Sequence, residues 1–415
     1  MKVLVVGGGG REHAIVWKLK QSERIDTIYC APGNGGIAGL AECVPVKALD
    51  VEGMVGFALE KRVDFVVVAP DDPLALGMVN AMEKAGLRTF GPSKEAARIE
   101  SSKVFSKALM KKYMIPTAGY ETFHDAGSAL VYLETCPVPI VVKADGLALG
   151  KGVVITSDRE EAKKAVREMM LDKKFGESGD SIIIEEFMEG REVTVLAFTD
   201  GKTVLPMVSS QDHKRAYDND EGPNTGGMGA FSPSLLYTPE VAEVCMEKIF
   251  RPTIKALQKE GILFKGVLYF GLMLTPDGPK VVEYNARFGD PEAQVVLLRL
   301  KTDLLEIMEA VVEERLDGIM VEWEDCFTAC IMLASGGYPM DYEKGHEISG
   351  LEQVETVVFH SGTLLQGGRC LTNGGRVLGI TGTGKSLDEA IRSAYREAGK
   401  IYFKDMYYRR DIGRT

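Results

Sequence analysis

The sequence predicts an α/β protein of several domains, opening on a parallel, doubly wound unit. Two observations carry this: a chain of 415 residues, and an alternation of strand and helix signals over the first hundred. Lys2-Val-Leu-Val-Val6 is a short apolar strand and Arg11–Ser22 has helical spacing. Thr27–Cys30 is again strand-like, and the helices Val51–Lys61 and Pro73–Ala85 flank the apolar run Phe65–Ala69. Thr89–Phe90 closes the unit before Gly91-Pro92.

A second stretch begins with a helix over Lys103–Tyr113, ended by the Ile115-Pro116 step. Strands follow at Ile140–Lys143, Val153–Ile155 and Ser181–Glu185, with a helix over Arg159–Met170. Val193–Phe198 and Val204–Val208 read as a hairpin about Asp200-Gly201, and Pro239–Glu260 as one long helix. Gly266–Leu274 and Lys280–Tyr284 are strands joined by turn residues, and Asp303–Glu314 is helical. Phe327–Leu333 opens the last segment, which ends in the helix Leu387–Ile401. Boundaries are expected near 102 and 320, giving units 1–102, 103–320 and 321–415.

Composition narrows the function. With 45% hydrophobic and 26% charged residues the chain is ordinary globular protein, and a net charge of −11 disfavours nucleic acid and anionic membrane. No apolar run is long enough to span a bilayer and no signal-like segment leads the chain, so the cytoplasm is expected. Seven scattered cysteines read as buried free thiols rather than a zinc site or a disulfide framework.

Three glycine-rich elements can meet a ligand. Gly7-Gly-Gly-Gly-Arg-Glu-His13 lies between a strand and a helix, where amide groups and the helix N-terminus favour phosphate. As a dinucleotide fingerprint it fits poorly, because Glu12 or His13 stands at the third glycine position and no acid ends the second strand; a structural turn is the other reading. Lys143-Ala-Asp-Gly-Leu-Ala-Leu-Gly-Lys-Gly-Val153 is a strand–loop–strand hairpin, either folded over a triphosphate or a surface hairpin with solvated lysines. Gln211–Tyr217 with Gly222–Gly229 forms a long polar loop, which favours ligand contact over mere connection. His213 there suits hydrogen bonding more than acid–base work.

The strongest chemical signal is Val281-Val-Glu-Tyr-Asn-Ala-Arg-Phe-Gly-Asp-Pro-Glu292. Glu283 and Asn285 fall two apart on a strand and share a face, offering hard oxygens to Mg²⁺; Arg287 continues that face. Glu185-Glu-Phe-Met188 with Glu192 suits a hinge that meets a nucleoside. A polar edge strand is the alternative for the first segment.

In this order, the lysine on an entering strand, the glycine loop, the Glu-Glu-Phe-Met hinge and Glu-x-Asn resemble ATP-grasp enzymes. From end to end the chain resembles the phosphoribosylamine–glycine ligase family, through Gly7–His13, Ala31–Gly35, Phe90–Ser93, Lys143–Val153, Gln211–Tyr217, Asn224–Gly229, Arg287–Gln294 and Arg410–Gly413. The resemblance implies a parallel-sheet pre-ATP-grasp N domain, an ATP-grasp region with a mobile lid over roughly 121–190, and an α+β C-terminal domain. It also implies ATP as co-substrate, Mg²⁺ or Mn²⁺, and ligation of glycine to 5-phosphoribosylamine through glycyl phosphate. A cytoplasmic monomer acting on small molecules is expected. Carried over residue by residue, Lys103, Lys143, Gly150 and Lys151 meet phosphates, and Glu185, Glu186, Met188 and Glu192 the nucleoside. Glu283 and Asn285 hold the metal, Arg287 the developing charge, and Asp212 and Asp290 the glycine ammonium. Gly9, Gly10, Arg11, Glu12, Asn34 and Asp71 fall to the phosphosugar. Two positions depart from the family pattern: Asp71 stands where a glutamate is usual, and Gly271 where many ATP-grasp enzymes carry a further metal-binding acid. A formate- or bicarbonate-using relative, a nucleotide-binding regulatory module and a dehydrogenase are the rival readings.

Overall fold

The structure, a computed structural model, describes residues 1–147 and 152–414. The N-terminal sheet is parallel throughout, with strands Lys2–Gly7, Thr27–Pro32, Glu42–Cys43, Phe65–Val68 and Thr89–Phe90 in the order third, second, first, fourth, fifth. The order reverses between the first and fourth strands, and in such sheets ligands bind beyond the strand ends at that point. Gly7 ends the first strand with φ +121, and a side chain on Gly8 would collide with the Gly33 carbonyl oxygen. Alternation sorts the apolar residues to two faces. Leu4 and Val6 meet Met54, Met78 and Ala96, while Val3 and Val5 meet Ile15 and Leu19. The second face is completed by Val295, Leu304 and Met308, from far later in the chain.

Two helices depart from expectation here. The segment expected as one helix over Pro73–Ala85 is two, Asp71–Leu76 and Met78–Lys84, because Gly77 adopts φ +88 and ends the first in a left-handed cap. An unexpected helix, Lys94–Ser101, starts on Ser93, whose hydroxyl accepts from the Ala96 amide at 3.3 Å. It delivers Glu100 to the site.

A four-stranded antiparallel sheet orders Tyr120–Phe123, Ile182–Glu186, Ile140–Ala144 and Val153–Thr156. Helices Ala126–Tyr132 and Arg159–Met170 cover it and give it a core of its own, including Val142, Ile184, Leu133 and Val166. A second antiparallel sheet orders Val204–Pro206, Arg191–Thr199, Gly266–Thr275 and Gly278–Asn285. The long helix expected over 239–260 is present as Pro239–Cys245 and Arg251–Lys259 with a π-helical turn, Met246–Phe250, between them. Pro252 lacks the amide that would bond to the preceding turn, which is a physical reason for the wider turn there.

The last sheet is antiparallel, ordered Gln211–Asp212, Gly229–Ser232, Phe327–Ala334, Arg376–Gly384 and Val358–His360, with helix Leu387–Ala398 against it. It borrows its first two strands from before residue 320, so the polar loop 211–229 is tethered to the C-terminal part of the fold. Among the described residues all seven cysteines are free, and no helix is long and apolar enough to cross a membrane.

Candidate active site

One cleft gathers the ends of these sheets. Most of the expected residues line it: Arg11, Asp71, Lys103, Lys143, Glu185, Glu186, Met188, Glu192, Asp212, Glu283, Asn285, Arg287 and Asp290. Gly150 and Lys151 lie outside the described residues.

At one end of the cleft, Lys143 projects from its strand and Lys103 and Lys107 from one helix, a turn apart. Glu185 is buried, and one of its oxygens lies 3.0 Å from Lys143 Nζ and 3.2 Å from Lys107 Nζ. In the structure it thus pairs with two lysines while also lining the cleft. Burial drops Lys107 to about 8 against the pull of Glu185, and lowers Lys103 with Glu283 opposing. Lys103 Nζ donates to the Gly146 carbonyl at 3.0 Å, tying the helix to the entry of the glycine loop. Glu186 is exposed beside Gly119, and Glu192 lies 3.0 Å from Lys214 Nζ.

Glu283 sits opposite Gly271 and Asn285 opposite Tyr269 in the strand register. A Cβ on Gly271 would lie 3.2 Å from Glu283 Cγ, so the glycine makes room for the carboxylate instead of adding a second one. Burial works to raise the Glu283 carboxyl, but Lys214, Lys143, Lys103 and Arg287 outweigh it and keep it below its ordinary range. The site thus offers an ionised carboxylate and an amide oxygen. Among the described residues no group of three or more His, Cys, Asp or Glu could hold a metal by itself. That donor set fits Mg²⁺, which keeps few protein ligands and completes its shell with phosphates and water.

Beside this pair lies a cluster of acids around one lysine. Lys214 is held well above its usual value by Glu192 and Asp212 despite burial. Burial, with Glu292, Glu192 and Glu283 nearby, lifts Asp212 to about 7 while Lys214 pulls the other way. Burial also raises Glu292.

Arg287 reaches Glu100 at 2.7 Å and lies 3.8 Å from Asp71. Glu100 also accepts from the Ala286 amide at 2.7 Å, and burial raises its carboxyl to about 7 against Arg287. Arg287 and Arg11 overcome burial at Asp71 and keep it below the usual range. Asp290 has both oxygens engaged, one by Gln294 Nε2 at 2.7 Å and one by Arg376 Nη2 at 3.2 Å.

Four more expected residues, Gly9, Gly10, Glu12 and Asn34, form the turn beside Asp290, where a Cβ on Gly9 or Gly10 would lie 3.7 or 3.5 Å from its carboxylate oxygens. Glu12 accepts from the Gly9 amide at 2.6 Å and Arg11 Nε at 2.5 Å. Asn34 donates to the Gly8 and His360 carbonyls at 2.9 and 2.7 Å and accepts from the Gly36 and Ile37 amides. Both side chains are committed to shaping the turn. At Gly10 a Cβ would come within 2.5 Å of Gln294 Nε2 and Ser361 Oγ, so the glycine permits that close approach.

Glu100, Lys107, Lys214, Glu292 and Arg376 line the cleft as well, beyond the residues expected from sequence. Lys107 carried a signal, the helical spacing from Lys103, and Lys214 and Glu292 lay inside motifs already singled out. Arg376 carried none. It is brought in by a strand of the last sheet, where it also donates to the carbonyls of Gly226 and Asp290, each at 2.7 Å.

Comparison with known proteins agrees along the whole chain. Residues 1–100 match the family model "Phosphoribosylglycinamide synthetase, N domain", 101–293 the ATP-grasp (A) domain and 328–415 the C domain of that family. The phosphoribosylamine–glycine ligase of Caldanaerobacter subterraneus is 52% identical over 413 residues, covering 99% of each chain. That of Halalkalibacterium halodurans is 48% identical over 415 residues, 100% of this chain and 96% of its own. The crystal structure of phosphoribosylamine–glycine ligase from Thermotoga maritima superposes with a TM-score of 0.86 at 34% identity, covering 100% of both chains. A biotin carboxylase domain from Hydrogenobacter thermophilus, crystallised with MgADP and bicarbonate, shares the fold at TM-score 0.74 and 17% identity, over 98% of this chain and 91% of that one.

Proposed function

This chain belongs to the phosphoribosylglycinamide synthetase family, and from that premise we propose how its own residues divide the work of the reaction. It is an ATP-dependent ligase of purine biosynthesis that joins glycine to 5-phosphoribosylamine. Glycinamide ribonucleotide, ADP and phosphate are the products. A glycine carboxylate oxygen attacks the γ-phosphorus and the bond to ADP breaks, leaving glycyl phosphate. The amine nitrogen then attacks the acyl carbon, phosphate departs with the electron pair of the broken C–O bond, and the nitrogen sheds a proton.

The observation that carries the assignment of roles is the convergence of Lys103, Lys107 and Lys143 on Glu283 and Asn285 in one cleft. In this reading the lysines neutralise the phosphates, and Glu185 fixes two of them at their stations. Magnesium bound by Glu283 and Asn285 would supply further neutralisation of phosphate charge, and manganese would suit the same oxygens. The hinge Glu186–Glu192 takes the nucleoside. Asp212 takes the glycine ammonium, while Arg287, held by Glu100, faces the developing negative charge. Arg11 and Asp71 meet the phosphosugar, whose phosphate lies toward the helix starting at Gly10. Asp290 supports this end by holding Arg376. No side chain is needed as a nucleophile; catalysis rests on positioning and charge.

The unit over 121–190, with its separate core, serves as a lid that keeps water from the acyl phosphate. The division into 1–102, 103–320 and 321–415 belongs to this reading, with the last unit's sheet completed by strands 211–212 and 229–232. The protein works as a cytoplasmic monomer on small molecules, without nucleic acid or membrane.

The test is phosphate release from ATP with each substrate alone and with both. Release requiring glycine and phosphoribosylamine together is expected; release indifferent to either removes the reading. A pH profile probes Asp212. Its carboxyl, raised from 3.8 to about 7, is neutral below that pH and charged above it. The value of kcat/KM for glycine should therefore climb through pH 7 to a plateau, and Asp212→Asn should flatten the climb. An unchanged profile in that variant takes the ammonium role from Asp212.

A further inference from the structure

We propose that Arg409 is a positioning residue for the reaction, acting through a clamp that the segment Arg409–Gly413 closes on the loop behind Asp212 and Lys214. This rests on the reading of Asp212 as the glycine contact. The Arg409 side chain is 0% exposed, although nothing in the chemistry calls on it. Its guanidinium grips Asp411 with Nε at 2.8 Å and Nη2 at 2.7 Å, and donates through Nη1 to Asp220 Oδ1 at 2.7 Å and to the Arg215 carbonyl at 3.2 Å. The backbone repeats the link. Arg410 N donates to Asp218 Oδ1 at 2.7 Å, Asn219 N to Asp411 Oδ2 at 2.8 Å, and Gly413 N to His213 Nε2 at 3.2 Å.

The clamp is anchored on the other side. Tyr395, on helix Leu387–Ala398, donates its hydroxyl to the Arg409 carbonyl at 2.8 Å and accepts from the Ile412 amide at 3.0 Å. What the clamp holds is the hairpin turn between strands Arg215–Tyr217 and Glu221–Asn224, where Asn219 and Asp220 adopt φ +60 and +54, the left-handed pair that tight hairpin turns use and that Asn and Asp tolerate. The same stretch of chain presents Asp212, Lys214 and Arg215 to the cleft. A planar fork reaching Asp411, Asp220 and a carbonyl at once is a task for arginine; a lysine keeps the charge but can satisfy only part of it.

The experiment compares Asp220→Ala, Asp218→Ala and Arg409→Lys with the unaltered enzyme, measuring KM for glycine and for ATP, kcat and melting temperature. Asp220 is 57% exposed, so its loss leaves the fold standing even if a change at Arg409 does not. The clamp predicts a rise in glycine KM of about tenfold, with ATP KM within about twofold and the melting temperature little moved. Parallel rises in both KM values, a loss of stability without a KM change, or no change at all would overturn it. Asp212→Asn is the control for the underlying reading. If that variant leaves glycine KM unaltered, the glycine assignment fails; the clamp then stands or falls on whether Asp220→Ala shifts KM for one substrate selectively.

Discussion

Glu283→Gln is expected to lower kcat on the order of 10²- to 10³-fold, the size seen when one preorganised electrostatic group is removed from a reacting centre. The exchange keeps shape and a carbonyl oxygen but deletes the charge. Lys103, Lys143 and Lys214 crowd the carboxylate and hold it ionised, so the parent enzyme carries a full negative charge there at neutral pH. An amide in its place leaves Asn285 as the partner of a second neutral donor, too weak a pair for a hard dication. The fold should survive, since the strand register around Gly271 is unaffected. A second readout makes the result specific: affinity for ADP in the presence of Mg²⁺ should fall, while affinity for ADP alone should hold. Near-normal turnover with unaltered Mg²⁺ dependence would remove the metal role from Glu283.

Glu185→Leu should be the most damaging change to stability near the site, costing about 3–5 kcal/mol at pH 7, as when one member of a buried ion cluster is deleted. Glu185 is 2% exposed and its partners Lys107 and Lys143 are 3% and 7% exposed, so water cannot replace the lost carboxylate. Relief comes through deprotonation. Lys107 already titrates near 8 in the folded protein, below its ordinary 10.5, and losing Glu185 lowers it further. Between the folded and unfolded values the unfolded chain binds a proton that the folded one does not, so stability rises with pH there. The variant has the wider window, and its deficit should shrink between pH 7 and pH 9. Urea melts at the two pH values measure this; a deficit that is small, or that grows with pH, contradicts the buried cluster.

Much of the fold is written locally. Strand and helix periods in the first hundred residues specify a parallel unit because each turn of that unit is built from neighbours in sequence. The helix Arg159–Met170 and the strand carrying Glu283 and Asn285 are legible for the same reason: the side-chain period is set by the backbone. The long helix over 239–260 was legible too, but not its wide turn before Pro252. Glu100 was missed because its helix is short and follows Gly91-Pro92, which reads as a turn.

Which charge meets which is not a local property. Glu185 has the look of a hinge residue beside Glu186, and only the packing of helix Lys103–Lys112 against its strand makes it an anchor for two lysines. Asp290 pairs with Arg376, eighty-odd residues away in sequence, and Asn34 turns inward to the Gly8 and His360 carbonyls. The face of the first sheet that holds Val3 and Val5 is covered by Leu304 and Met308. The sequence by itself determined the class of the fold, the reaction through its family, and the shared face of Glu283 and Asn285, because these rest on backbone periods and contiguous motifs. Tertiary structure alone decided the ion pairs, the inward hydrogen bonds of Glu12 and Asn34, and the contacts of Arg409, because a charge is neutralised by whatever lies within a few ångströms, and that is settled by packing.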